Sequence, residues 1–546
     1  MVEPANMNSE SLSSILREMA FLGELQEENP FKLRAWANSA RILEEDSRDV
    51  KDLVASGEIA SIAGVGKGTQ AIAKEFVETG RVQEHEALRA AFPATIFELL
   101  EVPGLGPKKA KALYKELGIG GLSELEYACQ ENRLTELKGF GAKTQSSILL
   151  NIQKLKSNRG KAILPAALIQ ADDVQEELEA LSGVELVEVS GELRRLNEVI
   201  SALDFVVAGA PETEAGLLEA GFVGLDDGSY RRVRADSLTV TVWLVEVEEF
   251  GSKLLETTGP AKYVESLGPI PNAAREMEVY QELNIRFLPP ECRDVGACAE
   301  DLLVEGDIKG VFHLHTNWSD GRHTLEEMVI AAKEQGLEYI GLSDHSQTAF
   351  YANGLTNERV AQQKAEVARV QEKYPEVRIF HGIESDILAD GSLDFPDEVL
   401  KEFDFVIASV HGQMKMNRED MTRRLVKVLE HPATTWLGHW TGRLLLGREG
   451  FDFDHEEVLR AAAANGKGIE LNANPYRLDM DWREAGAVAA KNISIGIFPD
   501  AHSTGGLADV KYGVWMARKA GLSKGQIVNT KTRGEMEAWL QQRKFR

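Results

Sequence analysis

Cysteine, long apolar runs and, before residue 313, histidine are scarce in this chain of 546 residues. The three cysteines, Cys129, Cys292 and Cys298, show no CxxC spacing, so the sequence predicts neither a disulfide framework nor a cysteine-ligated zinc site. No apolar run is long enough to span a bilayer, and the first residues lack a basic segment followed by an apolar one. We therefore expect a cytoplasmic protein with no membrane partner.

Positive charge is also in short supply. The formal net charge is −26, which taken alone argues against a nucleic-acid partner. The shortage is uneven, however, because residues 101–160 hold ten Lys and Arg against six Asp and Glu, a local balance of +4. Since the local field at a contact face decides phosphate binding, the acidic excess does not exclude DNA. The length suggests three or four globular domains.

The histidines are concentrated in the C-terminal part of the chain. Ten of the eleven lie at residue 313 or beyond, and only His85 precedes them. His313 and His315 alternate in the segment GVFHLHTNWSDG, so both imidazoles are expected on one face of a strand. Six further strand-like segments follow, each with a His, Asp, Glu or Asn towards its C-terminal end. They are EYIGLSDH, VRIFHGIESD, FDFVIASVH, TTWLGH, KGIELN and ISIGIFPDAH.

Amphipathic segments at 324–335, 357–374, 418–431, 455–465 and 482–491 separate these strands and predict helices. Alternating strands and helices with short turns imply a parallel sheet. Seven such units that place polar residues at the same strand end predict a closed barrel with its site on the C-terminal face.

The side chains expected at that face are six histidines and three carboxylates, a nitrogen and oxygen set suited to zinc, manganese or iron. They are His313, His315, Asp320, His345, Glu384, His411, His439, Asp500 and His502. Nine ligands are too many for one tetrahedral ion and suit a cluster of two or three ions that activates water and neutralises a phosphate. Four other histidines are expected to lie outside the site, namely His323, His381, His431 and His455.

The segments HLHTNWSDG, SDHS, GIESDI, SVHG, GHWTGR and PDAHS resemble the motifs of the polymerase-and-histidinol-phosphatase (PHP) family of metal-dependent phosphoesterases. The resemblance runs from about residue 310 to the C-terminus. It implies a (β/α)7 barrel with a trinuclear metal centre that hydrolyses phosphoesters, with Glu384 as the bridging carboxylate. Arg443, in the GHWTGR turn, is then a candidate phosphate clamp, and the alternative for this residue is an ordinary ion pair.

The N-terminal part reads as helices, with Ser9 and Asn29 as candidate caps and Pro30 in a first turn. A Gly-apolar-Gly turn between helical segments then recurs three times, and a lysine follows each copy. The glycines are Gly64 and Gly66, Gly104 and Gly106, and Gly139 and Gly141, and the lysines are Lys67, Lys108 and Lys143.

Glycine permits a tight turn and a close backbone approach, and the exposed N–H groups of the next helix can hold a phosphate. The three copies resemble helix-hairpin-helix modules, which bind DNA backbones without reading sequence. A phosphate-binding P-loop is the other interpretation of GVGKGT, but the required spacing is absent.

Residues 163–207 read as helix, strand, turn, helix and strand. With hairpin modules before it and a PHP barrel behind it, this segment makes the chain resemble a bacterial family X DNA polymerase over essentially its whole length. The resemblance implies an end-binding helical domain at 1–80, helix-hairpin-helix fingers at 85–158, an α+β nucleotidyltransferase-like palm and thumb at 160–300, and the PHP barrel at 310–546.

The palm departs from the family pattern where carboxylates are needed to bridge two metal ions. Glu192 stands at the serine position of the motif, and Arg194 and Arg195 remain. Ala202 replaces the first aspartate and leaves Asp204, while Thr241 occupies the third position. The segment after FGSKLLETTGP, which should contact the nucleotide, is altered as well. We expect an inactive polymerase site that does not hold Mg²⁺.

The sequence therefore predicts a DNA-binding, metal-dependent phosphoesterase. The resemblance implies a manganese-stimulated 3′→5′ exonuclease, with abasic-site or 3′-phosphate processing in base-excision repair. We expect a monomer that acts on gapped, nicked or 3′ DNA ends regardless of sequence. The alternatives are a gap-filling polymerase, a histidinol-phosphatase-like enzyme for small molecules, and a non-catalytic scaffold for DNA ends.

Overall fold

The computed structural model describes residues 9–46, 48–131, 133–234 and 237–543. The chain divides into two compact units, residues 1–159 and residues 160–546. The predicted fold class, a multidomain α and α/β protein, is confirmed. No helix in the described ranges is long and apolar enough to cross a membrane. The finer division of the chain into four domains stays a prediction.

The first unit is helical and is built around one apolar core. Its helices are α1 (Ser9–Gln26), α2 (Pro30–Glu45), α3 (Val50–Ala55), α4 (Lys67–Thr79), α5 (Gln83–Ala90), α6 (Glu98–Glu101), α7 (Pro107–Leu117), α8 (Leu122–Gln130) and α9 (Ala142–Asn158). Asn29 caps α2 by accepting a hydrogen bond of 2.9 Å from the Phe31 backbone. The cap predicted at Ser9 concerns a side chain outside the described part of the structure.

The second unit begins with a small α+β part. Its elements are β1 (Ala162–Ile163), α10 (Leu164–Glu179), β2 (Val184–Ser190), α11 (Gly191–Arg194), β3 (Val199–Ile200), β4 (Ala202–Gly209), α12 (Glu212–Glu219), β5 (Val223–Gly224), β6 (Ser229–Arg232), β7 (Thr239–Val245), α13 (Phe250–Thr258), α14 (Ala261–Leu267) and α15 (Glu276–Glu282). One sheet has the order β2-β4-β7-β6-β5, and only the β4–β7 pair in it is parallel.

The rest of the second unit is a barrel of seven parallel strands in sequential order. Its elements are β8 (Gly310–Leu314), α16 (Leu325–Glu334), β9 (Tyr339–Leu342), α17 (Asn357–Lys373), β10 (Arg378–Asp386), α18 (Asp397–Leu400), β11 (Phe405–Ser409), α19 (Arg418–Glu430), β12 (Trp436–Leu437), α20 (His455–Ala464), β13 (Gly468–Asn472), α21 (Trp482–Ala490), β14 (Ile495–Phe498), α22 (Val510–Lys519) and α23 (Arg533–Gln541). All seven predicted strands are present, and the five predicted helices differ from α16, α17, α19, α20 and α21 by no more than one residue at either end.

Backbone hydrogen bonds to Ala501 link the first and last strands of the barrel. Its carbonyl accepts from His315 N at 2.8 Å, and its N–H donates to the His313 carbonyl at 3.1 Å. The N-terminal end of the barrel is filled by aromatic side chains, since the Phe312 ring lies 4.9 Å from that of Trp436, which stacks on Trp539 of α23 at 5.2 Å. The open end of the barrel is therefore the C-terminal one.

A β-bulge in β8 sets the direction of its side chains. Val311 and Leu314 pack in the core shared with the outer helices, whereas Phe312 joins the aromatic cluster inside the barrel. The pairing of β8 with β9 shifts between Val311 and Leu314, and His313 has a left-handed φ of 59°. Phe312 and His313 can therefore both face the interior, which simple strand alternation does not allow.

Candidate metal centre and nucleic-acid interface

Glu384, at the C-terminal end of β10, lies at the centre of the buried polar cluster. Its Oε1 is 3.1 Å from Nε2 of His313 and of His439, and 3.3 Å from Nε2 of His411. Its Oε2 is 3.0 Å from Nδ1 of His345. One carboxylate thus faces four imidazoles that come from four different strand ends.

The remaining predicted ligands complete the cluster. His315 Nε2 is 3.3 Å from Asp500 Oδ1, while Asp320 lies 3.6 Å from His345 and 3.5 Å from His502. Potential ligand atoms fall into three overlapping groups in which all atoms lie within 4.8 Å of one another. The groups are His315, Asp320, His345 and His502; His313, His315 and Asp500; and His345, Glu384 and His411.

The donor set fits a bound cation cluster, because many of its atoms are buried and make no well-aligned hydrogen bond, even where an oppositely charged group lies within 3.0 to 3.3 Å. These atoms are His313 Nε2, both nitrogens of His315, His345 Nδ1, Glu384 Oε2 and His439 Nδ1. Each buried polar atom without a partner costs on the order of 1–3 kcal/mol. Several such atoms that converge on one place are explained by metal ions, which imidazole and carboxylate groups bind well.

Outer carboxylates orient the histidines, and the sequence analysis did not single them out. Glu470 Oε1 lies 2.5 Å from His313 Nδ1, and Asp386 Oδ1 lies 2.5 Å from His411 Nδ1. The Asp500 carbonyl lies 2.9 Å from His502 Nδ1. Because Nδ1 is occupied in each case, Nε2 is left to face the cluster. The available signal was position: Asp386 stands two residues after the predicted ligand Glu384 in β10, and Glu470 lies in β13, one of the seven predicted strands with polar residues towards its C-terminal end.

The carboxylates strongly perturb the pKa values of the metal-free cluster. Burial alone would lower the pKa of His345 and His411, but Glu384 together with Asp320 beside His345 and with Asp386 beside His411 outweighs it and raises these pKa values to about 10 and about 9. Burial lowers the pKa of His315 to about 3, and its histidine neighbours add to the effect. Burial raises the pKa of Glu384, but the surrounding histidines hold it well below its ordinary value.

The four histidines expected outside the site lie outside these ligand groups. Each has an ordinary protein partner: Thr504 for His323, Gln363 for His381, Asp397 for His431 and Glu484 for His455.

Arg443 makes an ion pair in the structure. Its Nη1 donates to Asp481 at 2.6 Å, its Nε donates to the Arg477 carbonyl at 3.0 Å, and its Nη2 donates to the Leu478 carbonyl. These contacts use three of the five N–H donors of the guanidinium, so the structure shows the ion pair, and the phosphate clamp at Arg443 stays a prediction.

Arg477 is the arginine beside the cluster. Its Nε lies 3.4 Å from Asp500 Oδ2, and its Nη1 is buried without a hydrogen-bond partner. Little in the sequence indicated this role, because Arg477 does not lie at a strand end. It lies in the irregular loop that follows β13.

The three Gly-apolar-Gly hairpins have the same local structure. The first glycines, Gly64, Gly104 and Gly139, have left-handed φ values of 93°, 82° and 92°. The second glycines are the N-cap residues of α4, α7 and α9. The intervening apolar residues, Val65, Leu105 and Phe140, are buried in the core. Their packing holds each turn against the rest of the first unit.

The second glycines are not explained by the fold of the hairpin. Gly66, Gly106 and Gly141 have φ near −80°, a conformation open to any residue. A Cβ atom at any of the three would meet nothing within 4 Å. Two reasons for glycine remain at these three positions: it is a favoured N-cap residue, and it permits close approach of another molecule to the backbone.

The lysines of the hairpins differ in their surroundings. Lys67, Lys108 and Lys143 are exposed, as a phosphate contact requires. Lys109, the neighbour of Lys108, donates to the Gly104 carbonyl at 2.9 Å. Lys109 therefore supports the turn itself, and Lys108 is the better probe of binding.

The strand pairing in the palm sets Asp204 of β4 opposite Thr241 of β7. Burial raises the pKa of Asp204, and the Glu192 carboxylate raises it further. Arg194 binds Glu276 through two bonds of 3.0 and 2.8 Å, and Arg195 binds Asp294 at 3.2 Å. Both arginines of the motif therefore serve as partners of carboxylates outside the palm sheet.

A barrel with a histidine-rich centre and a set of repeated hairpins define a phosphoesterase fold joined to DNA-binding modules, and comparison with known proteins agrees. A helix-hairpin-helix domain model matches residues 7–82, a SAM-like helix-hairpin-helix tandem matches residues 96–154, and the PHP domain matches residues 312–474. The predicted PHP and helix-hairpin-helix assignments are thereby confirmed.

The chain is 31% identical to the DNA polymerase/3′-5′ exonuclease PolX of Bacillus subtilis (strain 168), over 98% of this chain and 99% of the relative. It therefore belongs to the PolX family, as its resemblance to bacterial family X polymerases predicted. The chain is also similar to a probable phosphatase of Acetivibrio thermocellus, with 33% identity over 31% of this chain and 68% of that protein. A probable phosphatase of Thermoanaerobacter sp. (strain X514) is 26% identical over 43% of this chain and 97% of that protein.

Replacing Glu384 by alanine should lower the amount of bound metal, because the side chain faces four of the histidines. His313→Ala should have the same effect, since it removes a ligand. Metal content after dialysis, measured by atomic emission, checks both. His455→Ala is the matched control and should keep the wild-type content, because His455 pairs with Glu484. Unchanged metal in the Glu384 variant would contradict the assignment.

Binding of Mn²⁺ near pH 7 should release protons. The pKa values of His345 and His411 are raised in the metal-free protein, so both carry protons that a metal must displace. Metal affinity should consequently rise with pH between about 6 and about 9. Calorimetric titrations in two buffers with different heats of ionisation measure the protons released. Equal heats in the two buffers would refute the expectation.

Proposed function

We propose that this chain is a DNA-binding, metal-dependent phosphoesterase that shortens DNA strands in the 3′→5′ direction. It would process gapped, nicked or damaged 3′ ends during base-excision repair. We propose that it does so as a cytoplasmic monomer. The observation that carries the proposal is the convergence of buried, unpartnered nitrogen and oxygen atoms around Glu384.

The polar residues of the barrel would have two roles, namely to hold metal ions and to orient the ligands. Two or three divalent ions, Mn²⁺, Zn²⁺ or Fe²⁺, would supply hydroxide near neutral pH and neutralise phosphate charge. The six histidines with Asp320, Glu384 and Asp500 would hold the ions, and Glu384, which faces four of the histidines, would be the carboxylate shared between them. Glu470 and Asp386 fix the orientation of two of these imidazoles.

Arg477 takes the phosphate-binding role first considered for Arg443. Its Nη1 is buried without a hydrogen-bond partner, so a phosphate oxygen that enters the site would supply the partner that it lacks. The contact with Asp500 holds the guanidinium beside the cluster. A guanidinium so placed stabilises the negative charge that grows on the phosphate as the bond breaks.

The hairpins of the first unit supply the hold on DNA. Glycines that neither conformation nor packing requires, next to exposed lysines and helix N-termini, suit a phosphate backbone that approaches closely. Such contacts read no bases, so binding should not depend on sequence. These hairpins would have no purpose in an enzyme for histidinol phosphate, which makes the small-molecule alternative the weaker one.

A gap-filling polymerase is the second candidate, because the relative from Bacillus subtilis is named a polymerase as well as an exonuclease. The palm argues against it. Ala202 and Thr241 supply no carboxylate, and two-metal transfer needs carboxylates that bridge both ions. Asp204 alone is not enough, so we propose that the site is inactive and binds no Mg²⁺.

Gly106→Ala should weaken DNA binding about tenfold, because the new methyl group points into open space where the backbone of DNA would lie. Alanine is also a poorer N-cap for α7 than glycine, so a stability cost of about 1 kcal/mol is expected and is measured alongside by thermal unfolding. Lys108→Ala should weaken binding to unrelated duplexes alike and reduce the slope of log affinity against log salt by about 0.9. Fluorescence anisotropy at several salt concentrations measures both effects.

Gly80→Ala is unsuitable as a control because its φ is 72°. Lys74→Ala, an exposed change further along α4, is the better comparison and should bind nearly as the wild type does. A Gly106 variant with unaltered affinity would remove the close-approach argument.

End-labelled gapped DNA tests the two candidate functions together. With Mn²⁺ the wild type should shorten the labelled strand from its 3′ end, and Glu384→Ala should not. With Mg²⁺ and nucleotides, His313→Ala should not extend the primer, since the palm lacks two of the three carboxylates and phosphoryl transfer depends on metal.

The His313→Ala background prevents degradation from hiding synthesis. Template-dependent addition of nucleotides by that variant would make the gap-filling polymerase the first candidate. Restoring Ala202→Asp and Thr241→Asp should not recover full activity, because the segment after the thumb motif is still altered.

A further inference from the structure

Exposed aromatic side chains are concentrated at the open end of the barrel. In the described residues from 310 to 543, four large hydrophobic side chains are exposed: Ile330 at 37%, Phe350 at 86%, Tyr351 at 73% and Tyr476 at 63%. The three aromatic ones follow β9 and β13 at the C-terminal end of the barrel. They therefore surround the opening that leads to the metal centre.

The loop that carries Phe350 and Tyr351 is firmly held. Both flanking residues, Ala349 and Ala352, are buried to within 1%. The Leu355 N–H donates to the His345 carbonyl at 2.8 Å, which ties the loop to a metal ligand. Phe350 and Tyr351 are thus held in solvent by a loop that the buried Ala349, Ala352 and Leu355 anchor in the core.

Both aromatic positions lie next to residues of the cluster. The Tyr351 ring centroid is 6.2 Å from that of His345. Tyr476 directly precedes Arg477, which contacts Asp500. Since β9 and β13 are separated by β8 and β14 on one side and by three strands on the other, the two positions lie on opposite walls of the barrel.

We propose that Phe350 and Tyr351 stack on the nucleobase at one side of the scissile phosphodiester, and that Tyr476 stacks on the base at the other side. This inference rests on the proposed function and names its substrate class, a phosphodiester between two nucleosides. Aromatic rings stack on any base because every base has a π face, so the contact tolerates all sequences.

Charge favours such an uncharged contact. Asp320, Glu384 and Asp386 lie close enough to Tyr351 to act on its hydroxyl, so acidic groups face this part of the opening. They repel a DNA backbone, and the phosphate would be attracted by the metal ions, when bound, and by Arg477. Stacking holds a nucleotide by its neutral part and leaves the phosphate for the metals.

The dinucleotide d(TpT) and an analogue in which hydrogen replaces both bases test the proposal. With Mn²⁺ the wild type should show a KM about tenfold lower for d(TpT) than for the analogue, as expected when base stacking contributes. Phe350→Ala should raise the KM for d(TpT) several-fold, leave kcat nearly unchanged, and leave the analogue unaffected. Tyr476→Ala should act in the same way.

Two variants separate stacking from other effects. Tyr351→Phe keeps the ring and loses the hydroxyl, so it should retain the wild-type KM, whereas Tyr351→Ala should not. Ile330→Ala, an exposed change on α16, is the matched control and should alter neither substrate. Equal losses on both substrates, or no change on d(TpT), would overturn the proposal.

Binding measured by calorimetry on the Mn²⁺-loaded protein gives a second readout. A wild type that binds d(TpT) more tightly than the analogue and cleaves neither would contradict the proposed hydrolysis while supporting the stacking contact. A wild type that cleaves both with the same KM and binds both equally would support hydrolysis and reject stacking.

Discussion

Strand β8 must direct two consecutive side chains, those of Phe312 and His313, towards the interior of the barrel. The packing of the barrel and the position of its polar cluster both depend on this arrangement. Phe312 fills the N-terminal end against Trp436, while His313 reaches Glu384 at the other end. A regular strand would send one of the two outwards. The bulge places His313 at a left-handed φ, which costs about 1–3 kcal/mol. The burial of Phe312 and the contact of His313 with Glu470 offset that cost.

The cluster above this bulge is stable only when its charges are balanced. Glu384 and Asp500 are buried, and an unpaired buried carboxylate is very unfavourable. Without metal, protons on His345 and His411 supply the balancing charge, as their raised pKa values show. With metal, the cations replace those protons. The same barrel can therefore fold before it is loaded, and the loaded state depends on pH through this exchange.

The sequence predicted the strands, the helices and the side chains of the cluster, because each depends on local pattern. Helix α16, for instance, begins at the N-cap Thr324. This cap depends only on the four residues from Thr324 to Glu327. Whether a strand-end carboxylate binds metal or orients a histidine depends on distances across the barrel. Glu384 and Glu470 are alike in sequence position and differ in this respect. Arg443 and Arg477 likewise lie in loops, and only their tertiary contacts reveal which one borders the cluster.

The palm illustrates how part of a motif can serve a structural purpose. Arg195 binds Asp294, and Asp294 also accepts from the buried Lys519 of α22 at 2.5 Å. Glu198, three residues later, accepts from Trp482 and from Arg483 of α21 at 3.0 and 2.7 Å. These bonds join the palm to the barrel within the second unit. They do not involve Ala202 or Thr241, so loss of carboxylates at those positions leaves the connection intact. Arg195 of the motif thus contributes to the join between palm and barrel through Asp294 and Lys519, whether or not the palm transfers nucleotides.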